Sequence, residues 1–362
     1  MSDGGNTSDS KTALGLPRRL HGSLILVGFL LVAALLWFGY RTKVSGFQWS
    51  LFAATFSRID WAWLTAAVVL VLLTYFGRAV RWQLMLRPIR PHPDFWLLLD
   101  STIIGFTAVV LFGRAGELVR PYLISTREKV AFTSQLATWL LERIYDLLSV
   151  LLLFGFALTR ITSTSTKLGP TMEWVLSTGG SLAGILAAAC LSLLIVFGLF
   201  PVFVENRLVA VLSVLPLQYQ KRVTGLVQAF LSGTSSTRRG SFVFLLIFYT
   251  FCEWCLIVAC FLCLFRAVPF THSLGILDAL IVVGFVAFGS ALQIPGVGGG
   301  MQVATVLVLT ELFRIPLESA SGLAVLIWVV TFVSVVPIGL LLALKGGLKW
   351  RKLLQTKEMQ PL

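Results

Sequence analysis

Long apolar runs alternate with short charged segments along the chain, and this pattern predicts membrane-crossing helices. The longest runs cover residues 23–40, 61–77, 131–158, 179–200, 241–265 and 319–344. A helix needs about 20 apolar residues to cross the hydrocarbon layer of a bilayer. Two further runs, 96–112 and 274–292, are apolar but contain glycine and polar residues. We therefore predict an all-α polytopic membrane protein with six to eight transmembrane helices.

Two glycine-rich segments interrupt the apolar runs and predict helix breaks inside the membrane. The first is residues 113–121, and the second is residues 293–302. Such a break is tolerated only where protein or a watery cavity covers the freed backbone groups. The alternatives are an ordinary basic loop and a tight turn between two helices. The residues predicted to form the cavity backbone are Gly113, Gly116, Pro295, Gly296, Gly298, Gly299 and Gly300.

Loop charges distinguish two topologies. If every apolar run crosses, eight spans place the basic loops at 114–129 and 205–240 outside the cell, against the positive-inside bias. If the segments around Gly113 and Gly298 are re-entrant hairpins from opposite faces, six helices cross and both termini are cytoplasmic. We prefer the hairpins, which are compatible with an inverted repeat. The eight-span alternative stays open, because a hairpin and two short spans look alike in sequence.

Composition supports the membrane assignment. The chain of 362 residues is 57% hydrophobic and 12% charged, whereas soluble domains carry about 25% charged residues. The net charge of +13 follows the positive-inside pattern of short basic loops, so we predict no nucleic-acid partner. The predicted divisions are a disordered cytoplasmic N-terminus at 1–19, a transmembrane domain at 20–345 with an amphipathic surface helix at 205–240, and a basic cytoplasmic tail at 346–362.

The first glycine-rich segment carries charged residues that suit an anion. Charges at membrane depth are costly and mark function by default. Arg114 and Arg120 can hold a phosphate through paired hydrogen bonds. Glu117 lies three residues from each arginine, close enough to hold either guanidinium in place.

A second charged cluster lies on the predicted helix at 131–158. Glu142 and Asp146 are four residues apart and share a helix face, and Arg143 is positioned to pair with Asp146. This cluster is either a structural ion pair between helices or a site whose carboxylate carries a proton for coupled transport. The predicted substrate-binding residues are Arg78, Arg81, Arg114, Glu117, Arg120, Glu142, Arg143 and Asp146.

Enzymatic and metal chemistry have little support in the sequence. Four of the five cysteines lie on one apolar run, and Cys252 and Cys263 would be about 16 Å apart along a helix, too far to share one ion. The three histidines form no metal spacing, and no phosphate loop or Gly-x-Ser-x-Gly turn occurs. Glu253 and Asp278 are weaker candidates that would face polar neighbours. We predict no catalytic residue, no metal and no cofactor.

Four motifs, taken in order, resemble one protein family. They are Arg78-x-x-Arg81-Trp82, Gly113-Arg-Ala-Gly-Glu117 with Arg120-Pro121, Glu142-Arg143-x-x-Asp146 and Pro295-Gly-Val-Gly-Gly. Over residues 20–345 the chain is similar to the lysylphosphatidylglycerol synthase transmembrane region, also called flippase-like membrane proteins. The resemblance implies a bacterial or archaeal protein of the inner membrane that moves a modified lipid between leaflets.

The best-known members of that family continue into a cytoplasmic aminoacyl-transferase domain. Because few residues follow the last predicted span, we expect a stand-alone chain, and lipid synthesis does not carry over to it. We predict a transporter for a modified phospholipid or lipid-linked headgroup. Arg114 and Arg120 would hold an anionic group, and Glu142 and Asp146 would hold a cationic group or a coupling proton.

Membrane lipids are the expected partners, together with a separate lipid-modifying enzyme. The first alternative function is that of a membrane-embedded transferase acting on a lipid-linked substrate. The second is that of a non-transporting partner of a separate lipid synthase.

Overall fold

The computed structural model describes residues 47–163, 170–199, 228, 240–290, 293–294 and 298–346. Several predicted features lie outside these residues. They are the N-terminal segment 1–19, the first span 23–40, Pro295, Gly296 and most of the segments 205–240 and 346–362. The described residues from Trp49 onward belong to one compact unit, which carries all the elements described below.

Helices make up nearly all of the described structure. The α-helices are α1 (Trp49–Ser57), α2 (Trp61–Leu86), α3 (Phe95–Phe112), α4 (Val119–Glu128), α5 (Phe132–Ser163), α6 (Pro170–Leu199), α7 (Gly240–Ala267), α8 (Ile276–Gly289), α9 (Gly300–Glu311), α10 (Leu317–Thr331) and α11 (Val336–Lys345). The 3-10 helices are Gly113–Leu118, Pro269–Thr271 and Val333–Val335, and the two strands are β1 (Gln293–Ile294) and β2 (Gly298–Gly299). This confirms the predicted all-α polytopic membrane protein.

Five stretches within the described residues are long and apolar enough to cross a membrane. Helix α5, with 32 residues, is also long enough to cross, and it carries the charged residues Glu142, Arg143 and Asp146. Large apolar side chains such as Leu152 and Phe244 are exposed on the helix surfaces. Exposure of this kind suits contact with lipid tails, because lipid tails are as apolar as the side chains themselves.

Helix α2 is longer than the sequence pattern predicts. It starts at the cap residue Asp60, whose Oδ1 accepts from the Ala62 backbone N–H at 2.9 Å, and it runs to Leu86 instead of ending at Gly77. A glycine costs a helix only about 1 kcal/mol relative to alanine. The following arginines, glutamine, leucines and methionine are good helix formers, so the helix continues. Arg78 and Arg81 therefore lie inside a helix.

Helices α2 and α7 run antiparallel. The Asp60 backbone N–H donates to the Ala267 carbonyl at 2.9 Å, and near the other end Arg81 donates to Thr250 at 3.1 Å. Positions that advance along α2 therefore recede along α7. The six-span arrangement with a hairpin between α2 and α5 requires this antiparallel packing. Eight crossings would make the two helices parallel.

The segment Phe95–Glu128 folds back on itself, and we call it the first hairpin. By length and hydropathy it is suited to a single crossing. However, a Cβ on Gly105 would lie 2.6 Å from the Cβ of Arg120, and the Arg127 guanidinium donates to Ser101 Oγ at 3.4 Å. Helix α4 thus returns along α3, and both ends of the segment lie on the same side.

The segment Ile276–Glu311 is the second hairpin. Helices α8 and α9 have 14 and 12 residues, which gives about 21 and 18 Å at 1.5 Å per residue. Each is shorter than the ~30 Å hydrocarbon layer. Strands β1 and β2 pair antiparallel with Gln293 opposite Gly299, and a Cβ on Gly289 would lie 2.6 Å from the Gly300 carbonyl oxygen. The C-terminal end of α8 and the N-terminal end of α9 are therefore closely packed.

Glycines with positive φ occur at both hairpin turns. The φ of Gly113 is 63° and that of Gly299 is 129°. Residues that carry a Cβ atom rarely adopt these backbone φ angles. The glycine-rich motifs thus supply the backbone conformations that the two turns need.

The last predicted span, 319–344, is a broken helix instead of a continuous one. Helix α10 ends at Thr331, a 3-10 helix covers Val333–Val335, and α11 begins at Val336. Pro337 lies in the first turn of α11, where its missing N–H is tolerated but would interrupt a continuous helix. This proline is the sequence signal for the break.

Candidate functional site

Seven charged side chains come together between α2, α4, α5 and α7. Most of them are buried, in a region where an uncompensated charge is very costly. Helix α2 contributes two, α4 one, α5 three and α7 one. They are Arg78, Arg81, Arg120, Glu142, Arg143, Asp146 and Glu253.

Glu142 lies at the centre of this cluster and is 0% exposed. Its Oε1 accepts from Arg81 Nη2 at 2.8 Å and from Arg120 Nη1 at 3.1 Å. Its Oε2 accepts from Arg120 Nη1 at 2.9 Å. One carboxylate therefore bridges two guanidinium groups that come from two different helices.

Arg81 is 1% exposed and connects three helices. Besides Glu142, its Nη1 donates to Asp146 Oδ1 at 2.6 Å and to Thr250 Oγ1 at 3.1 Å. Glu253 Oε2 lies 3.5 Å from the same nitrogen. Such a network offsets the cost of removing an arginine from water, because several acceptors replace the lost hydration.

Arg120 is held by its neighbours as well as by Glu142. Its guanidinium carbon lies 4.0 Å from the ring centroid of Trp82, a cation–π contact that favours a buried arginine. Its Nη2 donates to the Arg78 carbonyl at 3.1 Å. Trp82 Nε1 in turn donates to Gln135 Oε1 at 3.1 Å. Neither Trp82 nor Gln135 was predicted from the sequence to support a charged group.

Glu253, a weaker candidate from the sequence, is part of the cluster. Its Oε1 lies 2.6 Å from Arg78 Nη2. The Arg78 guanidinium carbon also lies 4.6 Å from the ring centroid of Phe106 on α3. Asp278, the other weak candidate, lies elsewhere and caps α8 by accepting from the Gly275 backbone N–H at 2.8 Å.

Arg114 connects the turns of the two hairpins. Its Nη1 donates to Glu117 Oε1 at 2.5 Å, and its Nη2 donates to the Ser290 carbonyl at 3.1 Å. Of the two arginines that Glu117 was expected to hold, Arg114 is the one that it contacts. Arg120 points instead to Glu142.

Arg143 makes looser contacts than the other arginines of the cluster. Its Nη2 lies 3.8 Å from Glu142 Oε2 and 3.9 Å from Asp146 Oδ2, beyond hydrogen-bond distance. The pair with Asp146 expected from helix spacing is therefore long. Asp146 is bonded to Arg81 instead.

A polar cavity of about 200 Å³ opens beside the cluster. Charged side chains and aromatic rings share its walls, and the second hairpin contributes Ala287 of α8 and the adjoining Ser290. Gly113 and Gly116 are buried in the turn of the first hairpin, and Gly105 is the glycine of that hairpin that lines the cavity. The charged lining residues are Arg78, Arg114, Glu117, Arg120, Arg143, Asp146 and Glu253.

Two apolar cavities share lining residues with the polar cavity. A cavity of about 180 Å³ shares Arg78, Phe106 and Trp254 with it. A larger cavity of about 630 Å³ lies between α5, α6, α7 and α8 and is lined mainly by leucine, isoleucine and valine. Trp254 lines all three. Trp254 is therefore the side chain at which the polar cavity meets the 630 Å³ apolar cavity.

The described residues offer no arrangement of three or more His, Cys, Asp or Glu side chains suited to a metal ion. Cys252, Cys255, Cys260 and Cys263 all lie on α7 with free thiols. The charged cluster is built from arginine and carboxylate groups, whose chemistry suits binding of a charged group.

The chain is similar to known proteins over most of its length. The family described as "Lysylphosphatidylglycerol synthase TM region" matches residues 25–339. The chain is also 29% identical over 106 residues to a protein named glycosyltransferase AglD from Haloferax volcanii. That match covers 29% of this chain and 17% of the relative, so the chain spans a minor part of the relative's length. No solved structure matches the chain significantly.

Proposed function

This chain belongs to the lysylphosphatidylglycerol synthase TM region family, and from that membership we propose that it moves a membrane lipid between the two leaflets. The family links this multi-pass membrane protein to lipid modification. The lipid headgroup would pass through the polar cavity, while the acyl chains remain in apolar surroundings.

One observation carries the proposal: Trp254 is a shared wall of the charged cavity and of the 630 Å³ apolar cavity. A molecule that occupies both spaces must have a charged end and a long apolar end. A phospholipid or a lipid-linked headgroup has this form. A tryptophan suits such a boundary, because its ring is apolar and its N–H is polar.

The arginine–carboxylate network supports a role in passage of a headgroup. Glu142, Arg81 and Arg120 form a rigid buried frame. Three further arginines line the cavity beside this frame: Arg78 on α2, Arg143 on α5 and Arg114 in the turn of the first hairpin. Charges fixed beside a cavity lower the cost of bringing a headgroup away from water, because they replace part of its hydration.

The proposed placement is the inner membrane, with six crossing helices, two hairpins entering from opposite faces and both termini in the cytoplasm. The antiparallel packing of α2 and α7 supports this arrangement. The proposed arrangement would put the arginine-rich end of α2, with Arg87 and Arg90 beyond the cluster, on the cytoplasmic side, in accord with the positive-inside rule.

Blocking the polar cavity is expected to stop lipid movement. Val109 on α3 lines the cavity, and the larger ring in Val109→Trp would occupy the path of the headgroup. Purified protein would be reconstituted into phosphatidylcholine vesicles containing phosphatidylglycerol labelled with a fluorophore on one acyl chain. A membrane-impermeant reductant added outside would quench only label in the outer leaflet. We expect wild type to move labelled lipid from the inner to the outer leaflet, where the reductant quenches it. In Val109→Trp we expect this quenching to be at least tenfold slower.

The matched control is Val69→Trp, because Val69 is 57% exposed on the outer surface of α2. This variant should move lipid as wild type does. Thermal unfolding of all three proteins in detergent checks that the variants are folded. If wild type leaves the inner label protected, the transport proposal is wrong. Chromatography of the recovered lipid identifies the enzymatic alternative, since a transferase would yield a chemically changed lipid.

A further inference from the structure

The charged groups around the cavity do not balance. The set consists of five arginines and four carboxylates, which leaves one positive charge in excess. The other side chains that line the cavity among the described residues are uncharged, so none of them compensates this charge. The arginines are Arg78, Arg81, Arg114, Arg120 and Arg143, and the carboxylates are Glu117, Glu142, Asp146 and Glu253.

Every carboxylate of the set is already engaged by an arginine. Glu117 contacts Arg114 at 2.5 Å, and Glu142 bridges two arginines at 2.8 and 2.9 Å. Asp146 contacts Arg81 at 2.6 Å and Glu253 contacts an arginine of α2 at 2.6 Å. A cationic headgroup would have to displace one of these arginines to gain a carboxylate partner.

Arg143 is the arginine that the carboxylates leave available. Its nearest carboxylate oxygens are 3.8 and 3.9 Å away, and its buried Nε makes no hydrogen bond to the described residues. Its side chain is 33% exposed and lines the polar cavity. A guanidinium with open donors at a polar cavity suits bidentate binding of a phosphate oxygen pair.

We propose that Arg143 binds the phosphate of a headgroup that carries one net negative charge, so that the cavity selects anionic phosphodiester lipids over aminoacylated, cationic ones. This inference rests on the proposed function and specifies its substrate class. A phosphodiester supplies the single negative charge that the cavity lacks. A lysyl ester of the same headgroup carries a net positive charge and would meet an excess of arginine, which like-charge repulsion disfavours.

Binding of a soluble headgroup tests the site independently of transport. The probe is glycerophosphoglycerol, the deacylated headgroup of phosphatidylglycerol, titrated calorimetrically into detergent-solubilised protein. We expect wild type to bind it and Arg143→Gln to raise the Kd at least tenfold, in line with loss of a charge-assisted hydrogen bond. Arg143→Lys should recover part of the affinity, because it keeps the charge and loses the paired donors.

The matched control is Arg58→Gln, which removes the same charge from an exposed arginine at the end of α1. It should leave the Kd unchanged. Equal Kd values for Arg143→Gln and wild type would overturn the assignment of Arg143. Tighter binding of the lysyl ester of glycerophosphoglycerol than of glycerophosphoglycerol itself would overturn the charge selectivity.

Vesicle assays separate this inference from the proposed function. Labelled phosphatidylglycerol should move faster than labelled lysylphosphatidylglycerol in wild type, and Arg143→Gln should reduce the difference. Movement of both lipids at equal rates would contradict the selectivity and leave transport standing. Binding of glycerophosphoglycerol through Arg143 without movement of either lipid would contradict transport and leave the anion site standing.

Discussion

Replacing Glu142 with glutamine is expected to destabilise the folded protein by about 3–5 kcal/mol, the typical result of removing one partner from a buried ion pair. The side chain is fully buried, and it is the carboxylate that holds Arg120. A glutamine has nearly the same shape but no charge, so Arg120 would keep a buried positive charge without its counter-ion. Thermal unfolding in detergent measures the effect as a lower midpoint temperature.

The matched control for this variant is Glu117→Gln. Its partner Arg114 is 51% exposed, and ion pairs with an exposed member contribute about 1 kcal/mol or less. A second control removes both members of the buried pair: Glu142→Met with Arg120→Met should be more stable than Glu142→Gln alone, because no uncompensated charge remains. If Glu142→Gln unfolds at the temperature of wild type, the network does not hold the bundle together.

The replacement Gly116→Ala is expected to open the turn of the first hairpin, at a cost near the upper end of the 1–3 kcal/mol typical of overpacking. A Cβ at this position would overlap the carbonyl of Ala108 and the backbone nitrogen of Val109. These are backbone atoms of α3, which cannot rotate away as a side chain would. Since the turn contains Arg114 and leads into Arg120, we also expect weaker binding of glycerophosphoglycerol.

Gly77→Ala provides the control for this prediction. A Cβ on Gly77 would have nothing within 4 Å, and alanine is a better helix former than glycine. This variant should be as stable as wild type or slightly more stable. Equal stability of Gly116→Ala and Gly77→Ala would show that α3 and the turn are not packed as described.

The sequence identified most residues of the charged cluster but not their pairing. Helix spacing predicted that Arg143 would pair with Asp146, because the two are three residues apart. In the structure Asp146 accepts a hydrogen bond from Arg81, which lies 65 residues away in the chain. Such a choice depends on how α2 packs against α5, and local spacing contains no information about that packing.

The supporting residues of the cluster show the same limit. Trp82 appeared in the motif Arg78-x-x-Arg81-Trp82, but its stacking on Arg120 depends on the return of α4 along α3. Thr250 was one polar residue in an apolar run, and only the register between α2 and α7 brings it to Arg81. Glu253 was predicted only as a weaker candidate that would face a polar neighbour, and the packing of α7 against α2 makes Arg78 that neighbour.

Helix breaks were more predictable than ion pairs, because backbone conformation depends mainly on local residues. Glycines 113 and 299 occupy positive φ angles that other residues rarely adopt. The break between α10 and α11 was missed, although Pro337 signals it. A hydropathy pattern alone treats the proline as one more apolar position, whereas its missing N–H interrupts a continuous helix.

Reactivity of a single cysteine tests the central claim that a water-filled cavity lies among the crossing helices. In a background without the five native cysteines, Val109→Cys would be treated in intact vesicles with a membrane-impermeant maleimide. A thiol in contact with water forms the reactive thiolate, whereas one in lipid does not. We predict that Val109→Cys reacts and that Val69→Cys, on the lipid-facing surface of α2, does not. Failure of Val109→Cys to react faster than Val69→Cys would contradict the cavity and the proposed path of the headgroup.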